Sequence, residues 1–267
     1  MMLAARIPPR RRTHALGAAA HESAAMPDLR EHGCFLEREL LLADGALHRY
    51  QVFVPSRRAG GERPPLILFL HGSGERGDDN RRQLEVGLGP VIRARMDSFP
   101  ALVVFPQMHA DRDDPGHYAF TALAILDHAQ AEFDPDPQRI LLTGLSMGGF
   151  LSYELALMRP ERFAAVAPIC GGFDPPHGWN PRRIAALGGV TTLDEAARRL
   201  ASTPLWIFHG ARDDIVRPER SREMVEALHR AGSSARYTEF ADADHNAWDP
   251  AYATPEFWDW LWLQRRD

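Results

Sequence analysis

Eight short runs rich in apolar, β-branched or aromatic residues alternate along this chain with longer segments of helical periodicity, and that alternation limits the folds open to it. The runs predict strands at Glu37–Leu42, Tyr50–Val54, Leu66–Leu70, Leu102–Phe105, Arg139–Thr143, Ala164–Ile169, Leu205–His209 and Ala235–Phe240. Interior ones include continuous apolar runs, Leu-Ile-Leu-Phe-Leu at Leu66–Leu70 and Ala-Leu-Val-Val-Phe at Ala101–Phe105. A strand apolar at every position must be covered on both faces, which is the condition of a parallel sheet between helical layers. Helices are predicted at Arg82–Arg95, Ala119–Phe133, Met147–Met158, Pro218–Ala231 and Pro255–Arg265, with Pro218 and Pro255 suited to first turns and Gly232 to a helix end. A short turn at Ala43-Asp44-Gly45 joins the first two strands, so an antiparallel hairpin opens the sheet. The expectation is an α/β fold, an eight-stranded mostly parallel sheet with helices on both faces. A length of 267 residues suits one such domain.

Two stretches depart from this rhythm. Residues 1–33 lack strand or helix periodicity and read as a flexible N-terminal tail ahead of a domain spanning 34–267. Arg10–Arg12 followed by Ala15–Ala20 resembles an export signal, but Gly17 interrupts the apolar stretch and His21 and Glu22 end it. No run reaches membrane-spanning length, and a cytoplasmic location is the expectation. The second departure is the long connection 171–203, which holds Trp179 and reads as a lid or substrate wall.

Composition removes several chemistries. A net charge of −5 and the absence of a basic stripe speak against nucleic acid as partner. Every one of the 31 basic residues is an arginine, so Schiff-base, Ser–Lys and phosphate-loop lysine chemistries are excluded. Cys34 and Cys170 are too few for a thiolate metal site and read as free thiols rather than a bridge.

The strongest chemical signal is Gly144-Leu145-Ser146-Met147-Gly148-Gly149, of the form G-x-S-x-G-G. By letters alone the five-residue pattern occurs by chance about once in a dozen chains of this size. Here it follows a predicted strand without a gap and leads directly into a predicted helix, the setting a nucleophile elbow requires. A nucleophilic serine needs a base, and the base an orienting acid, in the order Ser, acid, His. His245, in the loop after the last strand, is the base candidate. Asp213 and Asp214, in the loop after Leu205–His209, both qualify as the acid, whereas Asp242 and Asp244 suit turn-forming roles. An oxyanion hole is expected from the N–H of Met147 and a backbone N–H of His71-Gly72-Ser73-Gly74, Ser73 first and Gly74 second. One such donor is worth about 3–4 kcal/mol in the transition state. Trp248 beside His245, with Gly74 and Trp179, are candidate substrate contacts.

Taken in order, His71–Gly77, Gly144–Gly149, His209–Val216 and Asp244–Trp248 resemble the α/β-hydrolase group of bacterial phospholipase/carboxylesterases, dienelactone-hydrolase-like esterases and predicted peptidases of the prolyl-oligopeptidase type. The resemblance runs from Phe35 to Asp267 and implies the α/β-hydrolase fold, with no metal and no cofactor. It also implies that the acid is the Asp four residues after the His of an H-G-x-x-D segment, here Asp213. Arg217 stands where such sequences often carry proline.

The expected function is hydrolysis of small-molecule carboxylic esters through an acyl-enzyme, by a monomer or homodimer with no stable membrane insertion. The alternatives are a prolyl-oligopeptidase-type peptidase, a thioesterase or acyltransferase, and a non-catalytic binding protein on the same fold. The chain has no room for the propeller domain such peptidases usually carry, which favours the ester.

Overall fold

The structure is a computed structural model that describes residues 32–42, 45–56, 62–110, 115–174 and 181–266. Residues 1–31, the bulk of the predicted tail, lie outside the described residues. Gly33 is already buried, with no room for a Cβ between Met96 O and the Phe53 ring.

Eight strands form one sheet: β1 Cys34–Leu41, β2 Leu47–Val54, β3 Leu66–Leu70, β4 Leu102–Pro106, β5 Ile140–Leu145, β6 Ala165–Ile169, β7 Trp206–Gly210 and β8 Arg236–Phe240. Their order across the sheet is β1-β2-β4-β3-β5-β6-β7-β8. β1 and β2 form the expected hairpin, β2 meets β4 antiparallel, and every later pairing is parallel. The α/β-hydrolase fold expected from the sequence is therefore present.

Period-two geometry sends alternate residues of the apolar strands into two separate cores. Leu66, Leu68 and Leu70 point to one, Ile67 and Phe69 to the other. The first core is closed by α2 (Pro115–Phe133), α3 (Met147–Met158), α5 (Leu193–Leu200) and α6 (Glu219–Arg230). The second is closed by α1 (Leu88–Arg93), α7 (Trp248–Ala253) and α8 (Pro255–Leu263). Trp258 and Trp260 of α8 are buried there, edge-on to Phe99 and Trp206 respectively.

Two expectations need correction. The single helix predicted over Arg82–Arg95 is a 3-10 turn at Arg82–Leu84 followed by α1. Gly87 breaks it: its φ is +64°, and a Cβ there would lie 2.7 Å from the Phe69 ring and 2.8 Å from Leu145. The chain must turn at that point to close over β3 and β5. Trp248–Ala253 is an additional helix packed on α8. The connection 171–203 also contributes, among its described residues, to the core. After α4 (Pro181–Ala186), Thr192 and Glu195 form a reciprocal capping box for α5. Leu187, Val190, Ala196, Ala197 and Leu200 are all buried. Among the described residues no helix is long and apolar enough to cross a membrane.

The junction of β5 and α3 is the tightest point of the fold. A Cβ on Gly144 would lie 2.4 Å from Gly148 O, one on Gly148 2.0 Å from Leu70 O, and one on Gly149 2.6 Å from Ile169 O. Backbone cannot move aside as a flexible side chain can, so the glycines of G-x-S-x-G-G are required by β3 and β6 as well as by the turn. Gly148→Ala should cost about 3 kcal/mol of stability by overpacking. Gly74→Ala, with nothing within 4 Å of its Cβ position, should stay within about 0.5 kcal/mol of the parent. Urea unfolding of the three proteins measures both, and equal midpoints would refute the packing argument.

Candidate active site

Ser146 sits between the end of β5 and the first residue of α3, with φ +53° and ψ −118°. Such a conformation costs a non-glycine residue about 1–3 kcal/mol and persists only where neighbours hold it. Here Ser146 N–H donates to Ile169 O at 2.9 Å, and Ser146 O accepts from Phe150 N–H at 3.1 Å. The turn points the side chain away from the sheet, where Oγ meets His245 Nε2 at 2.9 Å.

His245 and the acid reach this point on two loops that are bonded to each other. Ala211 N–H donates to Phe240 O at 2.9 Å and Arg212 N–H to Ala243 O at 3.0 Å. A Cβ on Gly210 would lie 2.0 Å from Asp244 O, so only glycine permits this approach. The loops bring His245 Nδ1 within 2.7 Å of Asp213 Oδ2. The Asp213 side chain is fully buried, and Asp214 is exposed. Asp213 Oδ1 accepts the N–H groups of Ile215 and Val216 at 3.0 and 2.9 Å. Asp244 Oδ1 instead accepts Asn246 N–H at 2.9 Å, forming a local turn.

These contacts decide the tautomer. Asp213 is surrounded by donors and acts as acceptor, so His245 Nδ1 carries the proton. The lone pair of Nε2 is then left for the Ser146 hydroxyl. An alcohol aligned on a neutral imidazole that is itself oriented by a carboxylate can lose its proton as it attacks an electrophile.

Two backbone donors lie near Ser146: Met147 follows it in sequence, and a Cβ on Gly72, the residue before Ser73, would lie 3.6 Å from Ser146 Cβ. Met147 N–H opens α3 and, like Ser73 N–H, has no hydrogen-bond partner among the described residues. The loop carrying Ser73 is held from several sides. His71, buried, directs Nδ1 to Gly72 O at 2.6 Å, and its Nε2 accepts Met108 N–H at 2.9 Å. Arg76 Nε donates to Ser73 O at 3.1 Å. With Gly72 O engaged by His71, the N–H of the same peptide, that of Ser73, is turned the opposite way. Glu75 is half-buried; burial raises its pKa, and the backbone N–H groups of Gly72 and of Glu75 itself oppose the rise. Farther along, buried amides clamp the loop: Asn80 N–H donates to Gln107 Oε1 at 2.7 Å and Gln107 Nε2 to Glu75 O at 3.1 Å.

Of the substrate-contact candidates, Trp248 lies edge-on to His245, with ring centroids 5.7 Å apart. Gly74 is exposed on the same loop as Ser73. Trp179 lies outside the described residues. The sequence reading passed over His71 and His209 as partners of the site; the signal was there in H-G-S-G and H-G-x-x-D, each of which begins with a histidine.

Cys170, Asp213 and His245 place a sulfur, a carboxylate oxygen and a ring nitrogen within 4.8 Å of one another. This set fits a metal poorly. Burial pushes the Cys170 thiol up to about 12, and both Asp213 oxygens already accept hydrogen bonds.

Comparison with known proteins agrees with this chemistry. A protein-family profile described as "Putative esterase" matches residues 48–260. Poly(3-hydroxyalkanoate) depolymerase C of Paucimonas lemoignei is 25% identical over 187 residues, 61% of this chain and 44% of that protein. The bifunctional acetylxylan esterase/xylanase XynS20E of Neocallimastix patriciarum is 26% identical over 176 residues, 64% of this chain and 22% of that protein. The chain thus spans less than half the length of these curated relatives. A solved thermostable esterase superposes with a TM-score of 0.69 at 29% identity, covering 87% of this chain and 63% of the other.

His71 also makes a pH prediction. Burial lowers its pKa from 6.5 to about 4, so the folded protein resists a proton that the unfolded chain accepts. As pH falls from about 6.5 to 4 the unfolded state binds more protons, and stability declines by about 3 kcal/mol on this account. His71→Gln should lack that part of the acid-side decline; parallel stability curves for the two proteins across this window would refute it.

Proposed function

The chain belongs to the esterase family, and we propose that it is a serine hydrolase that cleaves carboxylic esters through an acyl-enzyme. We assign the chemistry to one catalytic domain over residues 34–267. The observation that carries the proposal is the continuous line from Ser146 Oγ to His245 at 2.9 Å and on to Asp213 at 2.7 Å.

The steps follow from that geometry. Ser146 Oγ attacks the ester carbonyl carbon while its proton passes to His245 Nε2. Asp213, bonded to Nδ1–H, stabilises the imidazolium without taking its proton. The former carbonyl oxygen becomes an anion and is held by the N–H groups of Ser73 and Met147, the latter aided by the positive end of α3. Collapse breaks the bond to the alcohol oxygen, which leaves with the proton from His245. Water then enters, gives a proton to His245 and attacks the acyl carbon. A second collapse returns the proton to Ser146 and frees the acid. No metal or cofactor is needed for any of these transfers.

The substrate is a small-molecule ester. Trp248 walls one side of His245, and Ile215, 70% exposed beside the acid loop, adds apolar surface nearby. The family description and the name of the acetylxylan esterase/xylanase both say esterase, which supports ester over amide. A monomer or homodimer suffices, since every group used comes from one chain.

The purified protein should hydrolyse p-nitrophenyl acetate or butyrate, and Ser146→Ala should lower kcat by about 10⁴-fold or more. A fluorophosphonate probe should label Ser146 alone. Equal turnover by the two proteins, or labelling that survives the substitution, would remove Ser146 from the role.

A further inference from the structure

We propose that His209 is a positioning residue for the acid: a second imidazole whose Nε2 edge lies against Asp213 Oδ2 and holds the carboxylate in register. The proposal rests on the reading of Asp213 as the acid of the triad.

His209 ends β7 and is fully buried. Its Nε2 lies 2.8 Å from Val216 O and 3.1 Å from Asp213 Oδ2. Both of those atoms are acceptors, so Nε2 must carry the hydrogen. Its Nδ1 then has a lone pair, and Ser221 Oγ of α6 stands 2.7 Å from it as the donor. The other acceptor for that hydroxyl, Gly171 O, is more distant at 3.4 Å. Ser221 thus fixes both the rotation and the tautomer of His209.

The consequence falls on Asp213 Oδ2, which sits between Nδ1 of His245 at 2.7 Å and Nε2 of His209 at 3.1 Å. With Ile215 and Val216 N–H on Oδ1 and His245 on Oδ2, three hydrogen bonds hold the carboxylate, and the His209 Nε2–H, bonded to Val216 O, faces Oδ2 as a fourth, electrostatic contact. A carboxylate free to rotate would still neutralise an imidazolium, but would not keep the His245 ring aimed at Ser146. His209 also shares the charge on Oδ2 and makes Asp213 a weaker base toward His245. The charged and titratable groups near His209 are Asp213, His245 and Glu239 of β8. Burial lowers the pKa of His209, so it acts as a neutral donor. A histidine serving only to fill the core would need none of this polarity.

The test compares His209→Leu, similar in bulk without a donor, with His209→Gln, whose amide nitrogen can occupy the Nε2 position. Each is assayed on p-nitrophenyl acetate across pH. The Leu variant should lose about 10- to 100-fold in kcat with KM within about twofold, as outer partners of catalytic groups do. The acid limb of its profile should move up by roughly half a pH unit, because Asp213 without that contact holds a proton on His245 more firmly. The Gln variant should recover most of both. Wild-type kcat and profile in the Leu variant would overturn the proposal, as would equal losses in Leu and Gln with no shift of the limb. If the Leu variant fails to fold, Ser221→Ala replaces it, with a several-fold fall in kcat and the same direction of shift expected, and an unchanged profile overturning the proposal. Asp213→Asn serves as reference: full activity there refutes the triad itself, while loss there with none at His209 refutes only this inference.

Discussion

Everything in the site depends on one strained turn, in which a serine adopts a backbone conformation that only its surroundings permit. Ser146 has φ +53°, and the cost is met by hydrogen bonds to Ile169 and Phe150 and by close backbone packing against β3 and β6. Three glycines make that packing possible, since a single methyl at Gly148 would meet Leu70 O at 2.0 Å. The reward is geometric. The same turn that lifts Oγ off the sheet also opens α3, so nucleophile and Met147 N–H emerge side by side from one rigid corner.

Around this corner the polar groups form an oriented set of neutral imidazoles. His71, His209 and His245 each place one ring nitrogen on an acceptor that forces the tautomer: Gly72 O, Val216 O and the Asp213 carboxylate. The second nitrogen is left to accept, from Met108 N–H, Ser221 O–H and Ser146 O–H respectively. Only the last of these acceptors faces a group that can react. Burial drives His71 and His209 toward the neutral form, so both act as fixed dipoles rather than charges.

Much of this was legible in the letters, and the reason differs from element to element. Leu66–Leu70 can be placed because a run with no polar residue has no alternative but the middle of a covered sheet. Met147–Met158 is legible because the strand ends and the helix begins at one serine. Gly87 is not, since a glycine inside a helical pattern looks tolerable until the rings of β3 and side chains of β5 are known to lie against it. The core portion of 171–203 is hidden for a similar reason: its apolar residues are spaced over a short helix whose partners, α3 and α6, are distant in sequence. In the site, Ser146 and His245 announce themselves by motif and loop position. Asp213 and Asp214 are chemically equal by residue type; the H-G-x-x-D resemblance favours Asp213, and the bonds to Ile215, Val216 and His245 fall on that residue. His209 reads as an ordinary strand end because its partners Val216 and Ser221 meet it through a fold, not a spacing.

The sheet order gives these groups unequal support. The alcohol rises from β5, flanked by strands on both sides, whereas the imidazole follows β8, the outermost strand, paired on one side only. β8 is also less deeply covered than the interior strands, with all five of its residues at least partly accessible. The proton acceptor therefore follows one of the two edge strands of the sheet. Were that margin to fray, the hydroxyl would keep its place and its tension but have nowhere to send its hydrogen, and the protein would fall silent while still folded.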